Sequence, residues 1–270
     1  MTVDIAIITY KPEGIERLSK MQLPQMEGVR YVVSWQAHES ASVPEELLRD
    51  DIVVYRFDKN GQSYNRNNAI EHCEADIVIL SDDDVELRAD GIRELIKVYE
   101  ENPQIDFVTF KTQRFGAPKY PEHATKLLSP LPKNYHVACF ELSFRRATAG
   151  WLRACPELGL NSPRMHGGED EMILHTAIKR GLQCWFYPIE VCAHNHSSTG
   201  TKQHLTKENL RASGCVIALM YPTTAFLRVP LKAWRISRVR RASLLTALRF
   251  MLQGAFAARG VLKRNRDYLF

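Results

Sequence analysis

Asp76-Ile77-Val78-Ile79-Leu80-Ser81-Asp82-Asp83-Asp84-Val85 sets a short apolar run directly against three consecutive carboxylates. Ile77 to Leu80, dominated by β-branched side chains, suits a strand of a parallel sheet that is covered on both faces. The carboxylates then fall just past the strand's carboxyl end, which is where open α/β sheets bind their ligands. Three adjacent carboxylates repel one another unless a cation offsets them. Mg²⁺ or Mn²⁺ takes one or two carboxylates together with substrate phosphates, so the cluster suits a metal that bridges a diphosphate. A competing reading has Asp82 to Asp84 capping the helix that follows, since Asp is favoured at helix starts.

Outward from this stretch, β-branched runs alternate with helical patterns, the signature of βαβ units. Strands are expected at Val3–Thr9, Val29–Trp35, Ile52–Phe57, Asp76–Ser81 and Ile105–Lys111. Helices are expected at Glu13–Met21, Pro44–Leu48, Gln62–Cys73 and Ala89–Glu101. The fold class is therefore α/β, with a mostly parallel, Rossmann-like central sheet. Four prolines (Pro118, Pro121, Pro130, Pro132) break the pattern between Phe115 and Asn134, which reads as a long loop over the site. A strand at Val137–Phe144, a helix at Glu169–Arg180 ended by Gly181, and a strand at Cys184–Val191 follow. Beyond Leu205 the pattern is mainly helical.

Composition bounds the class. A chain of 270 residues, 45% of them hydrophobic, supports one large α/β domain with an appendage rather than two equal domains. The six cysteines form no C-x-x-C pair, which fits reduced thiols and not a disulfide framework or zinc site. The Met1 end leads straight into a strand pattern, without the features of a secretory signal, so a cytoplasmic location is expected. The net charge of +5 hides an asymmetry: residues 1–227 hold 25 Lys+Arg against 30 Asp+Glu, or −5, and residues 228–270 hold 11 against 1, or +10. No run reaches the roughly 18 apolar residues needed to span a bilayer.

Two further features could carry chemistry. Gly167-Gly168-Glu169-Asp170-Glu171 opens a helix after two glycines that let a substrate approach the backbone. A carboxylate there could accept a proton from a hydroxyl, or it could be an acidic first turn favoured by the helix dipole. His194-Asn195-His196-Ser197-Ser198 follows the last strand, where an imidazole could complete a metal shell or serve the fold alone.

Taken together, residues 3–200 resemble the family 2 glycosyltransferases of bacterial surface-polysaccharide type. Ile7-Ile8-Thr9-Tyr10 looks like the family's opening strand and nucleotide-contacting turn. Asn60-Gly61-Gln62-Ser63-Tyr64-Asn65-Arg66-Asn67-Asn68-Ala69-Ile70 is similar to its N-x-G-x-x-x-A-R-N-x-A-I segment, with Asn65 in place of the usual alanine. Asp76 to Val85 matches the strand leading into the D-x-D motif, and Gly168-Glu169-Asp170 matches the E-D motif. His194 with Ser197-Ser198-Thr199-Gly200 looks like the late histidine segment of bacterial members.

The resemblance implies a GT-A fold, with a catalytic domain at 1–204 split near 112/113 into nucleotide-sugar and acceptor halves, and a helical basic tail at 205–270. It implies inverting transfer from a nucleoside-diphosphate sugar, a UDP-sugar favoured, to a hydroxyl of a glycan or lipid-linked glycan. Asp170 would be the catalytic base. Thr9, Tyr10, Arg66, Asn67, Asp82, Asp83 and Glu169 would contact the nucleotide sugar. Asp84, Asp82, His194 and His196 would bind Mn²⁺ or Mg²⁺.

In the tail, Arg235, Arg238, Arg240, Arg241 and Arg249 intersperse with helix-spaced apolar residues such as Trp234, Leu245, Phe250 and Phe256. That pattern fits an interfacial element on the anionic inner face of the cell membrane, or a helical pair packed on the body with a solvated basic face. No nucleic-acid partner is expected, because aromatic stacking motifs are absent. The alternatives are a metal-dependent nucleotidyltransferase, which would release pyrophosphate, and an inactive GT-A scaffold.

Overall fold

The computed structural model describes residues 1–114, 120–132, 135–194, 205–239 and 241–270. The chain forms two compact units. The first comprises Met1–Asn60, Tyr64–Arg153 and Ala177–His196; the second comprises Gly61–Ser63, Ala154–Thr176 and Ser197–Phe270.

The first unit is built on one sheet. Its strands are β1 (Val3–Tyr10), β2 (Val29–Gln36), β3 (Ile52–Phe57), β4 (Ile77–Asp82), β5 (Glu86–Leu87), β6 (Phe107–Arg114), β7 (Thr125–Lys126), β8 (Leu142–Arg145) and β9 (Cys184–His194). They lie in the order β3-β2-β1-β4-β8-β6-β9-β5, with β7 paired to β9. β3, β2, β1 and β4 run parallel, β8 is antiparallel to β4 and β6, and β6 is parallel to β9. Seven consecutive residues of β1 and five of β4 are buried, as expected of central strands covered on both faces.

The helices of the first unit answer the same pattern. α1 (Lys11–Ser19) carries Pro12 in its first turn, where the missing N–H is harmless. α3 (Ala89–Glu101) buries Ile92, Leu95, Val98 and Tyr99 in the main core. α2 (Gln62–Glu71) and α5 (Glu169–Lys179) each begin in the second unit and end in the first, and α4 (Arg146–Ala149) is a single turn.

The expected strand at Val137–Phe144 is only half strand. Cys139–Glu141 is a 3₁₀ turn and pairing starts at Leu142. Glu141 is the reason: its Oε2 accepts from Ala138 N at 2.9 Å and its Oε1 from the Tyr120 hydroxyl, which folds the backbone before β8. The expected helix at Pro44–Leu48 is likewise one 3₁₀ turn, Glu45–Leu47. β5 and β7 have two residues each, too few to show a period. β7 lies inside the segment expected to be loop, part of which falls outside the described residues.

The second unit is mainly helical, with α6 (Lys207–Met220), α7 (Ala225–Arg238) and α8 (Leu244–Arg264). Thr206 caps α6 by accepting from Asn209 N at 3.2 Å, and Ser243 caps α8 by accepting from Thr246 N at 3.2 Å. α6 and α8 cross at two glycines: a Cβ on Gly214 would overlap the Met251 carbonyl, and one on Gly254 the Arg211 carbonyl. Past α8, Arg264 grips Glu157 through two hydrogen bonds of 2.8 Å, and Leu269 is fully buried. Among the described residues no helix is long and apolar enough to cross a membrane.

Candidate functional site

β1 pairs with β2 on one side and β4 on the other, so the strand order reverses between β1 and β4. Such a reversal leaves a crevice at the strands' carboxyl ends, and ligands of open α/β sheets bind there. Thr9 is the penultimate residue of β1 and Asp82 closes β4, which puts Asp82 to Asp84 at the crevice.

The three carboxylates have different surroundings. Asp83 turns inward. Its Oδ2 accepts from Thr9 Oγ1 at 2.5 Å, and its Oδ1 from Arg17 Nη2 at 2.7 Å. Burial pushes its acid up to about 6, against the opposing pull of Thr9 and Arg17. Asp83 therefore ties β4 to β1 and α1. Gly14 of α1 makes the tie possible, because a Cβ there would overlap Thr9 Oγ1 and lie 2.9 Å from Asp83 Oδ2. Gly14→Ala is accordingly expected to lower stability by about 1–3 kcal/mol, read as a lower urea midpoint with unchanged slope.

Asp82 lies against Arg66, whose side chain is 1% exposed and whose Nη2 is 3.6 Å from Asp82 Oδ1. Cys139 Sγ donates to Asp82 Oδ2 at 3.1 Å. Asp82 Oδ1 is buried and accepts no hydrogen bond. Burial raises the Asp82 acid, with Arg66 opposing the rise and Asp84 adding to it. Asp84 is one-third exposed, and its Oδ2 is 3.3 Å from His194 Nε2. The His194 ring is stacked on Phe140, with centroids 5.1 Å apart and an interplanar angle of 8°. None of the three carboxylates caps the next helix: α3 starts at Ala89 with Arg88 at its N-cap.

The neighbouring turns come from the same edge. Asn65 Nδ2 donates to the Thr9 carbonyl at 2.9 Å, which fastens α2 to the end of β1. Tyr10 is exposed with the Lys11 ammonium 5.5 Å from its ring centre, and Asn67 is half-buried. Lys11 has φ 65°, a left-handed conformation held by Trp35 Nε1, which donates to its carbonyl at 2.9 Å.

In the second unit, Gly167 (φ 120°) and Gly168 (φ 86°) lead into the first turn of α5, which presents Glu169 and Asp170. A Cβ on Gly168 would come within 2.5 Å of Val216 Cγ2, so this approach requires glycine. Glu169 is buried beside Gly159 and Ser63, and Asp170 is half-buried.

Among the described residues no three His, Cys, Asp or Glu side chains converge as a ready metal shell. Asp82, Asp84 and His194 share the crevice, and His196 lies outside the described residues. The set fits a divalent cation in its chemistry: two carboxylates, one with a buried oxygen lacking a donor, and one imidazole. Sequence reasoning missed Arg17, Gly14, Cys139 and Phe140, which hold the cluster in place; each lies far along the chain from the residue it supports, and no spacing marks them.

The GT-A fold recurs in solved structures. S. aureus TarS, residues 1–349, in complex with UDP-GlcNAc is 14% identical, with 99% of this chain and 89% of that chain covered at a TM-score of 0.61. The same fragment in complex with UDP is 14% identical, with 98% and 92% covered at a TM-score of 0.56. No curated protein matches the sequence. Residues 37–157 match the model of glycosyl transferase family 2.

Proposed function

We propose that this chain transfers a sugar from a UDP-sugar to a hydroxyl of a glycan or lipid-linked glycan, with inversion at the anomeric carbon, in the synthesis of a bacterial surface polysaccharide. The observation that carries the reading is the acidic cluster at the reversal between β1 and β4, with Asp82 and Asp84 beside His194. The UDP and UDP-GlcNAc bound by TarS support the choice of donor.

Each residue then has a task. Asp170 takes the proton of the acceptor hydroxyl as its oxygen bonds to the anomeric carbon. The bond from that carbon to the diphosphate oxygen breaks on the opposite face, and its electron pair leaves with the nucleotide. Thr9, Tyr10, Asn67 and Glu169 contact the nucleotide sugar. Arg66 holds Asp82 in place and, with it, contributes to donor binding. Asp83 serves the same donor site by fixing β4 against Thr9. Mn²⁺ or Mg²⁺ held by Asp84 and Asp82, with His194 and His196, would offset the charge gathering on the diphosphate. The basic tail holds the enzyme against the inner face of the cell membrane as a peripheral protein.

Calorimetric titration of UDP, GDP, CDP and dTDP, each with and without Mn²⁺, tests the donor. UDP is expected to bind with Mn²⁺ and weakly without it, and Asp84→Ala is expected to remove the difference. Binding of none of the four would overturn the reading, and release of pyrophosphate from a nucleotide substrate would favour a nucleotidyltransferase.

A further inference from the structure

α7 divides its surface into three stripes. Val229, Ala233 and Ile236 are buried against α8 and Leu210 of α6. Phe226, Pro230 and Trp234, four residues apart, form a second stripe with Leu227 and Leu231 beside it, and this one is exposed. Phe226 is 70% exposed, Leu227 62% and Trp234 50%. Arg228, Lys232 and Arg235 make the third stripe, along the edge of the apolar one. Side chains of this size are normally the first to be buried, and a contiguous exposed group of them marks an interaction surface.

Of the tail residues named from the sequence, Phe250 is buried between the helices, and Leu245 and Phe256 of α8 are exposed but stand eleven residues apart, whereas the exposed apolar residues of α7 are contiguous. We infer that the Phe226–Trp234 face of α7 inserts into the interfacial layer of an anionic lipid bilayer, with its flanking arginines on the headgroups. The inference rests on the membrane reading of the tail proposed above and names the element that performs it.

Charge selects this occupant. Residues 228–270 carry 11 Lys+Arg against 1 Asp+Glu, so a second copy would bring like charge against like. A nucleic acid would satisfy the arginines and leave the apolar stripe in water. An anionic bilayer satisfies both: headgroups attract the cations, at about 1 kcal/mol for each one near the surface, and the acyl boundary accepts Phe226, Leu227 and Trp234. Trp234 suits the boundary, since indole is enriched at membrane interfaces. The Arg238 guanidinium, 5.6 Å from the Trp234 ring centre, places charge next to the inserting ring.

The test is cosedimentation of the full chain with vesicles of phosphatidylcholine plus phosphatidylglycerol, and with phosphatidylcholine alone. The parent is expected to bind the mixed vesicles. F226S/L227S/W234S should lose affinity by about tenfold or more, with thermal midpoint and UDP binding unchanged because all three side chains are exposed. R228Q/R235Q/R238Q should lose the preference for the anionic vesicles. Parent-like binding by the serine variant would overturn the α7 inference and leave the membrane reading standing on charge alone. A parent that binds neither vesicle would remove both. Self-association of the parent that the serine variant abolishes would assign the face to a second copy and overturn the lipid occupant.

Discussion

Asp170→Asn is expected to lower the transfer rate by about 10²–10⁴-fold while leaving UDP binding intact, because a positioned base contributes on that order and asparagine cannot accept the proton. The substitution keeps the size of the side chain in the first turn of α5. Lost attraction to the helix dipole costs about 0.3–1 kcal/mol, too little to unfold a domain. The effect should fall on kcat and not on the UDP dissociation constant, which separates Asp170 from Asp84. Single-turnover rates with calorimetry on the same preparations make the comparison. A variant that transfers as fast as the parent would remove the base assignment and leave the donor site untouched.

Much of this site could be read from the sequence, because its key residues follow strands whose apolar pattern is strong. Ile77 to Leu80 announces β4, and the position of Asp82 to Asp84 follows from it. The glycine pair before Asp170 was visible for a similar reason, since the left-handed φ values at Gly167 and Gly168 suit glycine. What could not be read is the division of labour within the cluster. That Asp83 is the inward carboxylate depends on Arg17 and Thr9, which lie 66 and 74 residues away in the chain. The 3₁₀ turn at Cys139–Glu141 was hidden for a like reason: a buried glutamate folds a segment whose own pattern is that of a strand. In the tail, periodicity revealed amphipathic helices but not which apolar stripe meets α6 and α8 and which is exposed.

Two glycine substitutions in α8's neighbourhood should have opposite signs, and the pair tests whether the α6–α8 crossing holds the acceptor-side machinery in place. Gly214→Ala would set a Cβ 2.6 Å from the Met251 carbonyl carbon, backbone that cannot move without shifting α8. The better helix propensity of alanine, about 1 kcal/mol, is outweighed by the overlap, for a net loss of about 2–3 kcal/mol. At about 2–4 °C per kcal/mol for a chain of this size, the thermal midpoint should drop by roughly 5–10 °C. Gly260→Ala places its Cβ only against the Arg264 guanidinium, 3.1 Å away at the end of a flexible side chain. There propensity prevails, and a gain of about 0.5–1 kcal/mol is expected. The crossing reaches the chemistry through α6: Val216 lies two residues past Gly214 and packs on Gly168, two residues before Asp170. Gly214→Ala should therefore lower kcat even well below its melting range, whereas Gly260→Ala should leave kcat unchanged. A Gly214→Ala protein with parent-like melting and rate would show that the crossing tolerates a methyl group and does not constrain the loop that presents Asp170.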